Sequence, residues 1–600
     1  MNTSPPKPRF RLFVGVIGHR PNRLSSSALG RIVAQLDETL ALIAKAAGHA
    51  RVSYCQHFTE EPPSLTLVSA LAEGADRIAA AGALENGYAL TAILPFSSDE
   101  YSRDFKQRSS KLEYQRLLKG ATTKLALPGE RAREALAYKT AGLTIVDNVD
   151  ILLAVWDGGE SAGSGGTTEL IERAAKSGLP IIRLDAKGEQ EPRVIWSGLA
   201  QFPASGTSIL EAPSSDLTAA LPSVVERIVR PPQHEIETTK LSNYLDETWK
   251  PWNWRLEFPL LFAILGLRPL CKTDLKPKSP DTLAEKFQSQ TSRGGSQQAE
   301  TVETSVLPQT ALAYGWADAL GTRYAQIFRG AYTSNFVCAA LVVLVGITSL
   351  VGTQLFEWSS WPWAVIEIAL VVLIFVNTRA GQKRDWHSRW RESREVAERL
   401  RAAELLSLVA LSPSASRANQ DTWVAWYVRS QKCGLGVESG TLDKARLEEV
   451  RRSLIDMVES QCAYHSHNAE LMRGVERRIE HIGYVLLGLT ILFATINAIV
   501  ALSWLDVPEK LNYLLMGLPA ALPALAAATF GIRLIGDFEG IAARDDRTST
   551  TLSNLVDALQ QDRPDLAVMR SRARSIVDTM LGDVAHWRMT TETRKLVEPV

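Results

Sequence analysis

Residues 482–505 read IGYVLLGLTILFATINAIVALSWL, twenty-four residues without a charge. At about 1.5 Å rise per residue, a helix of this length reaches roughly 36 Å, enough to cross a hydrocarbon core about 30 Å thick. Core helices of globular proteins rarely run so far without a charge. Three further windows share the pattern, at 334–356, 358–376 and 511–532, and the four together hold a single charge, Glu367. They predict an all-α membrane domain with four transmembrane helices.

The windows pair into two hairpins. Glu357 is the only residue between the first two, and DVPEK at 506–510 separates the last two. Those turns carry one cation, Lys510, whereas the opposite ends carry Arg323, Arg329, Arg379, Lys383, Arg384, Arg473, Arg477, Arg478 and Arg533. The positive-inside rule then places both turns outside and both termini in the cytoplasm, as expected of a multi-pass protein of the cell inner membrane. Trp358, Trp361, Trp363, Trp504 and Tyr513 mark the outer interface. The N-terminus, MNTSPPKPRF, lacks the apolar run of a signal peptide. Glu367 is an intramembrane acid and Asn497 a possible interhelical bonding group. Pro519 and Pro523 are expected to kink the fourth helix. All four are candidates for gating.

Whole-chain averages conceal this organisation. Lys plus Arg and Asp plus Glu are 66 each, so the formal net charge is zero. The balance holds by halves: residues 1–230 carry 26 basic and 25 acidic side chains. That excludes a nucleic-acid binder working through bulk charge, and leaves any phosphate to local loops. The five cysteines, at 55, 271, 338, 433 and 462, form no paired spacing and fit a reducing compartment.

The first 230 residues alternate short apolar runs with helical stretches. Strands are expected at 12–17, 90–94, 151–155 and 179–184, with another at 51–55, and helices at 26–46 and 167–177. Such alternation predicts an α/β domain with a parallel sheet, whose ligands bind at the carboxyl ends of the strands. Three loops fall there: Gly15-Val-Ile-Gly18-His19-Arg20; the stretch 69–77 with Glu73, Gly74, Asp76 and Arg77; and Asp157-Gly158-Gly159 followed by Gly163, Ser164, Gly165, Gly166, Thr167, Thr168 and Glu169. Glycines let backbone amides approach an anion, and a following helix N-terminus adds partial positive charge. These loops make Gly18, His19, Arg20, Glu73, Gly74, Asp76, Arg77, Asp157, Gly163–Thr167 and Glu169 the candidate ligand-binding residues.

The strings VGVIGHR, SALAEGADRIAA, AILPFSSDEY and AVWDGGESAGSGGTTELIERA, in that order over residues 9–190, resemble the SLOG superfamily of Smf-type and LOG proteins. The resemblance implies a Rossmann-like fold that binds nucleotides or nucleotide-derived ligands. SLOG domains fused to membrane segments are similar to sensors of bacterial conflict systems, which respond to a signal nucleotide made after phage infection. DWHSRWRESREVAERLRAAELL (385–406) and LPALAAATFGIRLIGDFE (522–539) similarly resemble the SLATT two-helix membrane effector, here in two units. One departure bears on chemistry. Aligned to the LOG loop Gly-Gly-x-Gly-Thr-x-x-Glu, this chain has Leu170 at the catalytic Glu position. That favours binding without turnover, with Glu172 or Glu73 as substitutes if hydrolysis occurs.

Residues 231–330 connect the parts, and the polar stretch 272–305 reads as a flexible linker. Phe258–Leu267 is apolar but too short to span, so it is core or interfacial. Residues 441–505 lack proline and predict one long helix, capped by Thr441, that rises into the third span; 385–410 should form a matching stalk, with Trp386 and Trp390 at the membrane surface or against a partner helix. The segments are thus 1–230 ligand binding, 231–330 connecting, 331–420 first hairpin and stalk, and 421–600 long helix, second hairpin and C-terminal helices. Cys462, His465 and His467 make no metal site, because the two histidines lie about 200° apart on a helix. The expectation is a homo-oligomeric membrane effector that senses an ADP-ribose-type or cyclic nucleotide supplied by a signal-producing enzyme and then opens a pore or disrupts the bilayer. The alternatives are a membrane-tethered nucleotide phosphoribohydrolase and a nucleotide-regulated channel or transporter outside immunity.

Overall fold

The computed structural model describes residues 3–24, 27–159, 166–198, 209, 212–292, 307–412, 421–432, 436–502 and 508–591. Among the described residues, nine strands build one sheet: β1 Arg11–Gly18, β2 Ser64–Ser69, β3 Ala89–Leu94, β4 Thr123–Ala126, β5 Ile151–Trp156, β6 Ile181–Asp185, β7 Arg193–Trp196, β8 Ser215–Asp216 and β9 Gly440–Thr441. The order is β8-β7-β6-β5-β1-β2-β3-β4-β9. Pairs from β6 to β9 across β1 are parallel, while β7 and β8 are antiparallel. The chain therefore runs outward from β1 to one side and restarts from β5 on the other. The crevice between β1 and β5 is the point where such a sheet opens at its carboxyl edge.

The helices of this region are α1 Leu29–Ser53, α2 Ala75–Glu85, α3 Ser98–Ser102, α4 Arg108–Gly120, α5 Glu134–Asp147, α6 Thr167–Lys176 and α7 Leu217–Val229. The four firmer strand expectations coincide with β1, β3, β5 and β6. The fifth does not: Arg51 to Ser53 closes α1, where Val52 is exposed, and the strand beside β1 is β2, after Pro62 and Pro63.

Alternation along the strands sends side chains to two cores. Leu12, Val14, Leu67, Leu90 and Leu153 pack with Ile32 and Leu36 of α1 and Ala79 of α2. Ile17, Val68, Ile93, Leu152 and Ile181 pack under α5 and α6 and also under segments far along the chain. Those segments belong to the remaining helices: α8 Glu235–Leu245, α9 Glu257–Ile264, α10 Lys272–Leu275, α11 Pro280–Ser292, α12 Gln309–Phe356, α13 Trp361–Lys383, α14 Trp386–Ser407, α15 Trp423–Lys432, α16 Lys444–Leu502, α17 Glu509–Gly536, α18 Phe538–Gln561 and α19 Leu566–Thr591. Leu405 and Leu406 of α14, Leu447 and Leu454 of α16, and Met569 and Ile576 of α19 complete the second core. Each fully buried Leu or Ile contributes about 1.5–3 kcal/mol. The C-terminal helices are therefore part of the α/β core, and β9 extends its sheet across the expected boundary at residue 230.

Helices α12, α13, α16 and α17 are long and apolar enough to cross a membrane. The most apolar window of α16 has no residue buried within the protein, so its surface suits lipid rather than water. Contacts between α12 and α13 run in opposite sequence directions. Asn335 bonds Thr378 at 2.9 Å and Gly346 faces Glu367, while Gly352 lies against Trp358 in the turn that leads into α13. Asn377 joins the base of this pair, donating to Asn335 at 2.7 Å and to the Ala331 carbonyl at 3.1 Å. In the second pair Gly483 of α16 faces Thr529 of α17, and Arg533 bonds Glu476.

Two local expectations are corrected, and one left with two alternatives is decided. The stretch 272–305 is not a linker through 292: α11 packs on α12, with Phe287 stacked on Tyr314 at 4.0 Å. Thr441 lies in β9, and the carboxylate of Asp443 caps α16 by accepting from the Arg446 amide at 2.8 Å. Of the two settings expected for the α14 tryptophans, the structure shows the partner helix: Trp386 is buried, and Trp390 packs on Phe328 of α12 at 5.8 Å.

Candidate functional site

β1 ends in Gly18, where an added Cβ would stand 2.5 Å from the Ala75 Cβ and 2.9 Å from the Val155 Cβ. Only glycine lets the three segments meet so closely. The Ala75 amide donates to the His19 carbonyl at 3.3 Å, and the His19 amide to the Val155 carbonyl at 3.1 Å. Gly74, at φ +100°, supplies the sharp entry into α2. The three expected loops are thereby drawn to one edge, around a cavity of about 520 Å³ above the β1–β5 crevice. That size suits a nucleotide-sized ligand.

Gly18, His19, Arg20, Asp76, Gly166 and Thr167 line the cavity. Asp157 stands behind it as an anchor. One carboxylate oxygen is 2.9 Å from His19 Nε2, and the other accepts from Arg23 at 2.7 Å. Burial pushes the Asp157 carboxyl up, but His19, the Gly159 amide and Arg23 outweigh this and hold it well below the usual carboxylate range. Thr168 donates to the Gly159 carbonyl at 2.9 Å, fixing the start of α6, where Gly166, Thr167 and Thr168 line the cavity at the positive end of the helix dipole.

Asp76 differs. Complete burial pushes its carboxyl up to about 7, against the opposing pull of the Ala72 and Ala70 amides, Ser69 and Arg20. It therefore sits poised between donor and acceptor near neutral pH. Burial would lower the Arg20 guanidinium, but Tyr138, Tyr101 and Asp104 outweigh it and keep its pKa above the ordinary value. Arg20 lies over the Tyr138 ring at 5.2 Å.

Other expected residues are engaged elsewhere. Arg77 is buried, donates to the Leu71 and Ser110 carbonyls at 3.1 and 2.9 Å, and stacks on Phe105 at 4.1 Å. Glu73 accepts from the Ser110 hydroxyl, and Glu169 pairs with Lys139. All three are structural ties rather than cavity walls, because their partners come from α4 and α5. Gly163, Ser164 and Gly165 lie outside the described residues. Leu170 is buried, reaches the cavity and packs on Gly142.

Sequence reasoning missed Asn22, Arg23, Tyr101, Glu134 and Tyr138, which complete the lining. Arg23 had a signal, as the second arginine in the Arg20–Arg23 turn. Tyr138 and Glu134 had none, because they belong to α5. That helix presents Tyr138, Ala141, Gly142 and Ile145 to the cavity.

Of the membrane candidates, Glu367 is half-buried beside Gly346 and Asn497 is half-buried. Helix α17 continues through Pro519 and Pro523. In α16, His465 Nδ1 meets Asp545 of α18 at 2.6 Å, and Cys462 rests on the Ser549 carbonyl at 3.6 Å. No protein-family model matches the chain, and no curated protein sequence matches it.

Proposed function

We propose that this protein is a membrane-embedded effector. Its Rossmann-like, SLOG-type domain binds a nucleotide-derived messenger, of the ADP-ribose or cyclic nucleotide class, at the β1–β5 crevice. Its two SLATT-like hairpins respond by opening a pore or disrupting the bilayer in anti-phage defence. Arg20, Arg23 and the amide-rich start of α6 supply the cationic rim for a phosphate. Tyr138, Tyr101 and Asp76 supply ring and hydrogen-bonding surface for the remainder of the ligand.

The observation that carries this reading is the double role of α5. One face lines the cavity. The other bears Thr144 and adjoins Asn148, which are bonded to Arg570 of α19 and to the Ala410 carbonyl at 2.9 and 3.1 Å. Ala410 lies at the foot of α14, and α14 follows directly from α13. A ligand that moves α5 thus acts on a helix joined to a candidate span through the short Arg384–Asp385 junction. Apolar Leu170 at the LOG glutamate position favours sensing over hydrolysis.

The test is reconstitution of the full chain in liposomes with dye-efflux readout. ADP-ribose or a cyclic dinucleotide should trigger efflux, and the Arg20→Ala/Arg23→Ala variant should raise the required concentration at least tenfold. Equal efflux with and without nucleotide, or an unaltered response in the variant, overturns the reading.

A further inference from the structure

Between the α/β domain and the first long helix lies a segment that leaves its apolar side chains uncovered. Trp252 and Trp254 stack on each other at 6.1 Å and are 51% and 78% exposed. In α9, Phe258 and Phe262 turn inward, while Leu260 and Ile264 stay 40% and 80% exposed. Isolated exposed apolar residues are ordinary, but a tryptophan pair beside an apolar helix face marks an interaction surface.

The position of this surface identifies what covers it. Phe258 contacts Tyr332 of α12 at 6.3 Å and Phe538, at the start of α18, at 6.5 Å. At the other end of α9, the Leu265 carbonyl accepts from Arg478 of α16, and Leu267 fills the space at Gly474. Tyr332 lies two residues before the charge-free window of α12, and Arg478 four residues before that of α16. At about 1.5 Å per residue, both ends of α9 sit roughly 3–6 Å below the spans. The helix therefore runs along the base of the membrane helices, parallel to the bilayer plane, at headgroup depth.

The charge around it is cationic. Residues 249–278 hold six basic side chains against two acidic ones, and Lys250, Lys272, Lys276 and Lys278 are exposed. Paired tryptophans, an apolar helix face and a ring of lysines form the composition that binds anionic lipid at an interface.

We propose that residues 249–278 form an in-plane membrane anchor. Trp252, Trp254, Leu260 and Ile264 insert at the headgroup boundary of the cytoplasmic leaflet, and the lysines bind anionic phospholipid headgroups. This proposal rests on the membrane reading of α12, α13, α16 and α17.

The test places a spin label at Ile264→Cys, at Trp254→Cys, and at Val371→Cys within α13, in full-length protein whose five native cysteines are replaced by serine. The protein is held in nanodiscs of phosphatidylglycerol and phosphatidylcholine. Labels at 264 and 254 should collide with oxygen more than with a water-soluble nickel chelate, as the label at 371 does. Ready access of the chelate at 264 and 254, with 371 still lipid-like, overturns the anchor alone. Chelate access at all three overturns the membrane reading itself. Access by neither reagent at 264 means that protein covers the face, and also overturns the anchor. Thermal midpoints should be higher in phosphatidylglycerol nanodiscs than in pure phosphatidylcholine, and changing the four lysines to glutamine should erase the difference. Equal midpoints for the wild type overturn the lipid assignment.

Discussion

Arg570 donates to the Thr144 hydroxyl at 2.9 Å, joining α19 to α5, which walls the cavity at the β1–β5 crevice. The same guanidinium donates to the Val409 and Ala410 carbonyls at 3.0 and 3.4 Å, at the end of α14. Burial lowers its pKa to about 10, so it remains a cation at neutral pH. One side chain thus ties α5, α19 and the end of α14. In Arg570→Met, similar bulk remains while the hydrogen bonds vanish. Stability should fall by about 1–3 kcal/mol from the carbonyls left unpaired, partly offset by removing a buried charge. Nucleotide affinity by calorimetry should stay within about threefold, while nucleotide-triggered efflux drops at least tenfold. A parallel loss of both would make Arg570 a folding residue only.

Asp76 gives the fold a pH dependence of unusual sign. Its carboxyl is raised from 3.8 to about 7 by burial, so the folded protein holds a proton that the unfolded chain releases. The stabilising proton is fully retained below about pH 4 and lost as pH rises towards 7. The upper limit of the effect is roughly 4 kcal/mol. Asp76→Asn keeps the neutral form at every pH. It should raise the thermal midpoint at pH 8, change it little at pH 4, and flatten the slope between. Identical slopes for the two proteins would show that Asp76 is ionised throughout.

Gly74 tests whether the loop edge is as tightly set as its backbone implies. At φ +100° a side chain is strained, and a Cβ there would stand 2.6 Å from the His19 carbonyl oxygen. That carbonyl also accepts the Ala75 amide. Gly74→Ala should cost about 1–3 kcal/mol of stability and displace His19 and Arg20, weakening nucleotide binding. Gly87, at φ +76° with open space around it, lies in the turn after α2. Gly87→Ala should cost only backbone strain and leave binding unchanged. Equal binding losses in the two variants would remove the specific role of the His19 turn.

What the sequence made legible follows the range of the forces involved. Crossing a bilayer requires an unbroken apolar run, so the four helices long and apolar enough to do so could be read one residue after another. β1, β3, β5 and β6 were visible for a similar reason, as short apolar runs between helical stretches. β9 was not: two residues, Gly440 and Thr441, join a sheet more than three hundred positions earlier, and only packing of α16 against the second core brings them there. At the site, Gly18 and Gly74 advertised close backbone approach, and His19 and Arg20 came with them. Arg77 and Glu73 looked equally suited to a ligand, but Ser110 and Glu113 of α4 claim them. Tyr138 escaped notice because a helix residue reveals its facing only after docking.

Asp385 and Asp537 carry the repetition of the two helix pairs down to their backbone. Each follows an apolar helix, α13 or α17, in left-handed backbone at φ 49° and 48°. Each precedes a buried aromatic residue, Trp386 or Phe538, that opens the next helix. Each is also the second junction in the same succession: a long helix, an apolar helix, then a more polar helix. Left-handed backbone costs an ordinary L-residue roughly 1–2 kcal/mol, least for Asp and Asn, and most for a β-branched side chain. Asp385→Val and Asp537→Val should each lower the thermal midpoint of the detergent-purified chain, whereas the glycine replacements should leave it nearly unchanged. Matching responses at the two positions are expected if both junctions set the angle between the apolar helix and the helix that follows it. A tolerated valine at either one would show that its junction relaxes freely and carries no such constraint.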